Sequence, residues 1–152
     1  MKSANNIFEP TSRPLSVALL VLDDSNTLSF AAGVDPMRAA NRMSGRRLFD
    51  WQYVTATGHP AQLTSGLKVP GPALSRIDSC DLLLVIAGFK LRTHDTPALR
   101  AGLRRIAATG ATLAGIDGGP WLLAEAGVLD KYSATTHWED LETFASRFPE
   151  VT

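Results

Sequence analysis

The sequence predicts an α/β fold: a three-layer α/β/α sandwich in which helices cover both faces of a mostly parallel sheet. Three observations carry this expectation. Continuous apolar runs of strand length, LSVALLVL at 15–22, DLLLVIA at 81–87 and ATLAGI at 111–116, suit strands buried on both faces. Segments with helical periodicity lie between them on short connections, and parallel strands need such helices to return the chain. The 152 residues, 45% hydrophobic and 20% charged, are enough for one domain around a single core.

Each element follows in order. Residues 1–14 are polar, carry two prolines and show no period, so a loose tail or partner-contacting arm is expected there. The first strand, 15–22, ends at Asp23-Asp24. Residues 28–43 place Phe30, Val34, Met37 and Ala40 at helical spacing, with Pro36 expected to divide the helix and Gly45 to end it. WQYVTAT at 51–57 alternates and reads as a second strand. Glycines and prolines crowd 62–77, which predicts loops with a short extended piece at 67–69. The run 81–87 leads straight into a turn at Gly88-Phe89. Thr96 followed by Pro97 marks a helix start, Leu99, Leu103, Ile106 and Ala107 supply its apolar stripe, and Gly110 stops it. After the strand at 111–116, a helix over 120–126 ends at Gly127, and Thr135 or Thr136 is placed to cap a last helix over 138–147. This alternation is flavodoxin-like, and in such sheets ligands sit beyond the carboxyl ends of the strands. Asp23-Asp24, Gly88-Phe89, Asp117-Gly118 and the later Thr135 to Trp138 segment converge at that end.

Composition narrows the function. Fifteen basic residues balance fifteen acidic ones, leaving no basic excess to neutralise phosphates or hold an anionic membrane, so this chain alone is not expected to bind DNA. The single cysteine, Cys80, excludes an internal disulfide and a thiolate cluster for a structural metal, and fits a reducing cytoplasm. Neither a metal nor a cofactor is expected. The longest apolar run falls far short of the ~20 residues of a membrane span, and no secretory pattern opens the chain, so a soluble cytoplasmic protein is expected.

The chemistry concentrates in GIDGGPWLLAEAG at 115–127. A strand that ends in Gly-x-nucleophile-x-Gly and turns at once into a helix holds its central residue strained and exposed above the sheet, and flanking glycines make that turn possible. Here the central residue is Asp117, framed by Gly115, Gly118 and Gly119. Pro120 opens the helix, so free N–H groups around Gly118 and Gly119 are expected to face the pocket and favour the ionised carboxylate. The plainer alternative is that Asp117 only caps the helix.

The elbow with PWLLAEAGVLDKYSATTHWEDLETFASRFPEV, and the earlier SFAAGVDPMRAANRMSGRRLFDWQYVTATG, resemble the N-terminal ligand-binding domain of AraC-type transcriptional regulators, a domain of the PfpI, or class I glutamine amidotransferase-like, superfamily. The segment LAEAGVLDKYSATTHWEDLE is the most specific part. In catalytic relatives of that superfamily the elbow residue is a cysteine, a histidine follows it, and a turn after an earlier strand helps form an oxyanion site. The resemblance places Asp117 at the cysteine position, His137 at the histidine and Gly88 at the turn. An assisting acid would fall near Asp23 or Asp24. The resemblance further implies that the sensing domain continues past Thr152 with a strand pair and a helix, that DNA is contacted by a C-terminal helix-turn-helix domain outside this chain, and that the domain pairs as a homodimer.

The missing thiol matters because a thiolate is a strong nucleophile and a solvated carboxylate a weak one. Cys80 cannot substitute, since it precedes its strand and lies at the opposite end of the sheet. Asp117 is therefore expected to attract a cation, with Asp24, Gly88, Phe89, Gly118, Trp121, His137 and Trp138 around it. Aromatic faces stabilise ammonium groups by roughly 0.5–2 kcal/mol each. The expected effector is a small amine, amino acid or quaternary ammonium compound, sensed without catalysis. Two alternatives stay open: a hydrolase using Asp117 as nucleophile with His137, and a structural dimerisation module with a closed pocket. The tryptophans are equally readable as core, and His137 as a backbone-bonded histidine at a helix start. The pairs Arg46-Arg47 and Arg104-Arg105 read as solvated helix-end charges.

Overall fold

The computed structural model describes residues 13–152. Most of the expected N-terminal tail therefore lies outside the described residues. Arg13, at its end, makes hydrogen bonds of 2.6 and 2.7 Å to the two carboxylate oxygens of Asp81, whose Oδ2 also accepts the Ser16 N–H at 2.8 Å. One carboxylate thus joins the starts of two neighbouring strands.

Four parallel strands form the sheet: β1 (Leu15–Val21), β2 (Phe49–Thr55), β5 (Leu82–Ala87) and β6 (Thr112–Asp117), in the order β2-β1-β5-β6. Two short antiparallel strands, β3 (Ala61–Gln62) and β4 (Lys68–Val69), make a separate hairpin. The helices are α1 (Thr27–Ser44), α2 (Leu91–His94), α3 (Pro97–Ala108), α4 (Gly119–Glu125) and α5 (Leu141–Arg147).

Period-two alternation sorts the strand residues onto two cores. Ala18, Leu20, Val54, Leu83 and Val85 pack with Leu99, Leu103 and Ile106 of α3 and Leu122 and Leu123 of α4. Val17, Leu19, Val21 and Ile86 pack on the opposite face with Phe30, Val34 and Met37 of α1 and with Leu63 and Val69 around the hairpin. The layers are thus helix, sheet, helix, as the apolar runs require. Burying side chains such as Leu103 and Ile106, both 0% exposed, contributes roughly 1.5–3 kcal/mol each. The chain winds outward from β1 to β2 and then from β5 to β6, so the topological switch lies between β1 and β5, where a ligand cleft is favoured.

Several local expectations hold in detail. Gly45 takes a left-handed conformation (φ 65°) after α1, and the Thr96 hydroxyl accepts the Leu99 N–H at 3.1 Å ahead of Pro97. Others are corrected. Pro36 does not divide α1, which runs through it for 18 residues; both Pro36 and Ala32, whose carbonyl loses its partner, lie on the exposed face where water replaces the bond. Strand β2 begins two residues earlier than the alternation suggests, because the Asn41 side chain accepts the Leu48 and Phe49 N–H groups and donates to the Phe49 carbonyl. The expected final helix is a 3-10 turn, Trp138–Asp140, followed by α5. Its cap is His137, whose Nδ1 accepts the Glu139 N–H at 3.4 Å; the Thr136 hydroxyl instead donates to the Asp117 carbonyl at 3.4 Å. Arg105 is not merely solvated: its guanidinium donates to the carbonyls of Ile77 and Leu74 and fastens the 3-10 turn Leu74–Arg76 to α3.

Candidate functional site

The site is assembled by three strand-to-helix turns at the carboxyl end of the sheet. Asp117 is the last residue of β6 and sits at φ 62°, so the strained elbow backbone is present. Its close packing depends on glycine: a Cβ on Gly115 would stand 2.5 Å from the Pro120 nitrogen. The Gly118 N–H is not free, as it donates to the Ala87 carbonyl at 2.8 Å and ties the elbow to the end of β5.

Two further non-glycine residues, Asp24 (φ 60°) and Lys90 (φ 55°), are left-handed in the turns after β1 and β5. A Cβ on Gly88 would lie 2.8 Å from the Asp24 carbonyl oxygen, and the Phe89 N–H donates to that oxygen at 3.2 Å. Buried Ser25 locks the same corner, its hydroxyl lying 2.8 Å from the Leu22 carbonyl oxygen and 3.0 Å from that of Ile86. Three strained positions in three adjacent loops mark this rim as a place where the scaffold holds backbone in uncommon conformations, a pattern associated with ligand clamps.

The Asp117 carboxylate is anchored on one side. Its Oδ2 accepts the Asn26 side-chain N–H at 2.9 Å and the Ser29 hydroxyl at 3.0 Å. Asn26 occupies the N-cap of α1 yet makes no side-chain cap bond there, because its amide is turned to the elbow. Two clefts meet at Asn26, Asp117 and His137. The larger, about 700 Å³, is walled by Phe89, Trp121 and Trp138, with Lys90 and Arg92 on one lip and Glu139 and Asp140 on the other. The second, about 530 Å³, is lined by Thr27, Leu28, Ser29, Thr64 and Ser65.

Of the residues singled out in the sequence, Asp117, Gly88, Phe89, Trp121, His137 and Trp138 all line the larger cleft. The aromatics differ in character: Phe89 is 55% and Trp138 73% exposed, whereas Trp121 is 5% exposed and stacks its edge on Phe148 at 5.4 Å between centroids. Asp24 and Gly118 line neither of these two clefts. The Asp24 carboxylate is engaged by Lys90 Nζ at 3.0 Å and lies 4.0 Å from His94 Nε2. Nδ1 of His137 faces Glu139, 3.6 Å from its carboxylate. Asn26, Ser29 and the Thr64-Ser65 pair escaped the sequence reading. An Asn before a helix reads as an ordinary cap, and only the tertiary contact reveals its other use.

A left-handed aspartate stands at a glycine-framed elbow on a parallel sheet of this order. Residues 16–147 match the model of the DJ-1/PfpI family. The chain belongs to the DJ-1/PfpI family. Within that family it is similar to transcriptional regulators. It is 39% identical over 133 residues to the HTH-type transcriptional regulator CdhR of Pseudomonas aeruginosa, covering 87% of this chain and 39% of that protein. It is 32% identical to the HTH-type transcriptional regulator GbdR of the same species, covering 91% of this chain and 38% of that protein. The crystal structure of an AraC family transcriptional regulator from Pseudomonas putida superposes with a TM-score of 0.80 at 27% identity, over 91% of this chain and 75% of that one. The chain thus spans about two fifths of the length of these two curated regulators. These DJ-1/PfpI relatives favour the regulator reading over the hydrolase reading. Among the described residues no helix is long and apolar enough to cross a membrane.

Proposed function

We propose that this domain is the effector-binding part of an AraC-type transcriptional regulator, and that it holds a small cationic metabolite at Asp117 without catalysing its conversion. The observation that carries this is the carboxylate at the elbow: Oδ2 is fixed by Asn26 and Ser29, and the cleft beside it is walled by Phe89, Trp121 and Trp138. A carboxylate held in this way is a poor nucleophile and a good counter-ion, and aromatic walls suit an ammonium or quaternary ammonium head. Regulator relatives support the reading at the level of the whole protein. DNA contact by a helix-turn-helix domain outside this chain, and pairing as a homodimer, belong to the same proposal.

Calorimetric titration with tetramethylammonium and with small primary amines tests it. Binding by the wild-type domain that falls at least about tenfold in Asp117→Asn supports the assignment, since a lost charge-assisted contact costs on the order of 1.5–3 kcal/mol. Equal affinity in the two proteins removes Asp117 from the site. A covalent adduct on Asp117 after incubation with esters, seen by mass spectrometry, would replace the sensor reading by the hydrolase one.

A further inference from the structure

The second cleft, about 530 Å³, shares Asn26, Asp117 and His137 with the aromatic cleft and has a wall of its own. Its remaining walls are the hydroxyls of Thr27, Ser29, Thr64 and Ser65 and the side chain of Leu28, with no phenylalanine, tryptophan, lysine or arginine among its lining residues. The wall is also built rather than incidental. The β3–β4 hairpin that carries Thr64 and Ser65 is tied to the β1–α1 turn by the Asp24 N–H to the Gln62 carbonyl (2.9 Å), the Gln62 N–H to Asp23 Oδ1 (2.6 Å) and the Thr64 N–H to the Ser25 carbonyl (3.1 Å). Thr27 Oγ1 lies 2.6 Å from Ser65 Oγ and closes the ring.

Two hydroxyls of this wall have bonding capacity left over. Ser65 Oγ accepts from Thr27 Oγ1 and from the Leu67 N–H at 3.4 Å, so its own proton remains to be donated. Ser29 Oγ donates its proton to Asp117, so its lone pairs remain to accept. One donor and one acceptor lining the same cleft match a group that does both, a hydroxyl or a primary amide, carried on a short chain that Leu28 can flank. We propose that this cleft is a second subsite for a neutral hydroxyl- or amide-bearing tail, and that the effector is an amine whose cationic head contacts Asp117 while its tail crosses to Ser29 and Ser65. This rests on the reading of Asp117 as the cation site and extends it to the ligand's other end.

The test pairs hydroxyalkyl-trimethylammonium ions, with tails from ethyl to butyl, against their deoxy counterparts of equal length, titrated calorimetrically into the wild-type domain, Asp117→Asn and the double variant Thr27→Val/Ser65→Ala. The expected result is that at least one hydroxylated ion binds wild type about tenfold more tightly than its deoxy counterpart, as one added hydrogen bond allows. The double variant, which removes the Ser65 donor and leaves the Ser29 acceptor, should show a clearly smaller preference with an unchanged unfolding midpoint. Wild type treating the pairs alike at every length, or the double variant keeping the preference undiminished, overturns the subsite alone, provided Asp117→Asn still weakens the ammonium ions. If no ammonium ion binds, or Asp117→Asn binds them unchanged, the cation reading fails and takes the subsite with it.

Discussion

Replacing Asp117 by alanine tests whether the elbow is held by its own side chain. Two costs follow from the geometry. The Asn26 amide and the Ser29 hydroxyl, 2.9 and 3.0 Å from Oδ2 in a half-buried setting, lose their shared acceptor. At this burial each loss is worth about 1 kcal/mol. The φ of 62° adds a second cost, since alanine in the left-handed region pays about 1 kcal/mol that Asp and Asn partly escape. The sum is about 2–3 kcal/mol for Asp117→Ala. Asp117→Asn keeps the tolerated backbone and one acceptor oxygen, so about 1 kcal/mol is expected. Urea denaturation followed by tryptophan fluorescence, with m-values compared to confirm an unchanged unfolding transition, measures both. Stability should fall in the order wild type, Asn, Ala. If Asp117→Ala stays within ~0.5 kcal/mol of wild type, as an ordinary surface change would, the Asn26 and Ser29 contacts do not hold the elbow.

Three other outcomes are expected. Gly115→Ala forces a Cβ to 2.5 Å from the Pro120 nitrogen and 2.6 Å from its Cδ, so the strand and α4 must part; a loss of about 2–3 kcal/mol in thermal or urea unfolding checks this overpacking. The Asp81 carboxyl is held below its ordinary value of 3.8, first by its hydrogen bond with Arg13 and against a smaller opposing effect of burial. A depressed folded value means that this contribution is complete above the ordinary carboxylate range and is lost as pH falls through and below 3.8; Asp81→Asn should therefore flatten the acid limb of the stability profile followed by circular dichroism. Burial pushes the Cys80 thiol above its ordinary value, so a disulfide reagent at mildly alkaline pH should label the native domain far more slowly than the domain in urea.

Much of the architecture was legible because its signals are local or periodic. The runs around Val17 to Val21 and Leu83 to Ala87 are apolar on both faces because both faces are covered, and glycines at 115, 118 and 119 mark the elbow whatever lies around it. Pro36 misled because its effect depends on which side of the helix the lost bond falls. The site was half legible for the same reason. Phe89 and Trp121 follow turns that the strand pattern locates, whereas Asn26 and Ser29 reach Asp117 across 91 and 88 positions of chain. Asp24 shows the converse: its position in the chain suggested a partner for the elbow, but its left-handed backbone directs the carboxylate to Lys90 instead.

Because Asn26 gives its amide to the elbow, the opening turn of α1 has no side-chain clamp of its own. The 18 residues of α1 extend about 27 Å, so whatever tugs at one carboxylate leans on a rod that reaches across the molecule. Amide exchange in the first turn of α1 would then rise or fall with occupancy at the rim, giving the domain a mechanical pointer whose pivot is a single carboxylate oxygen.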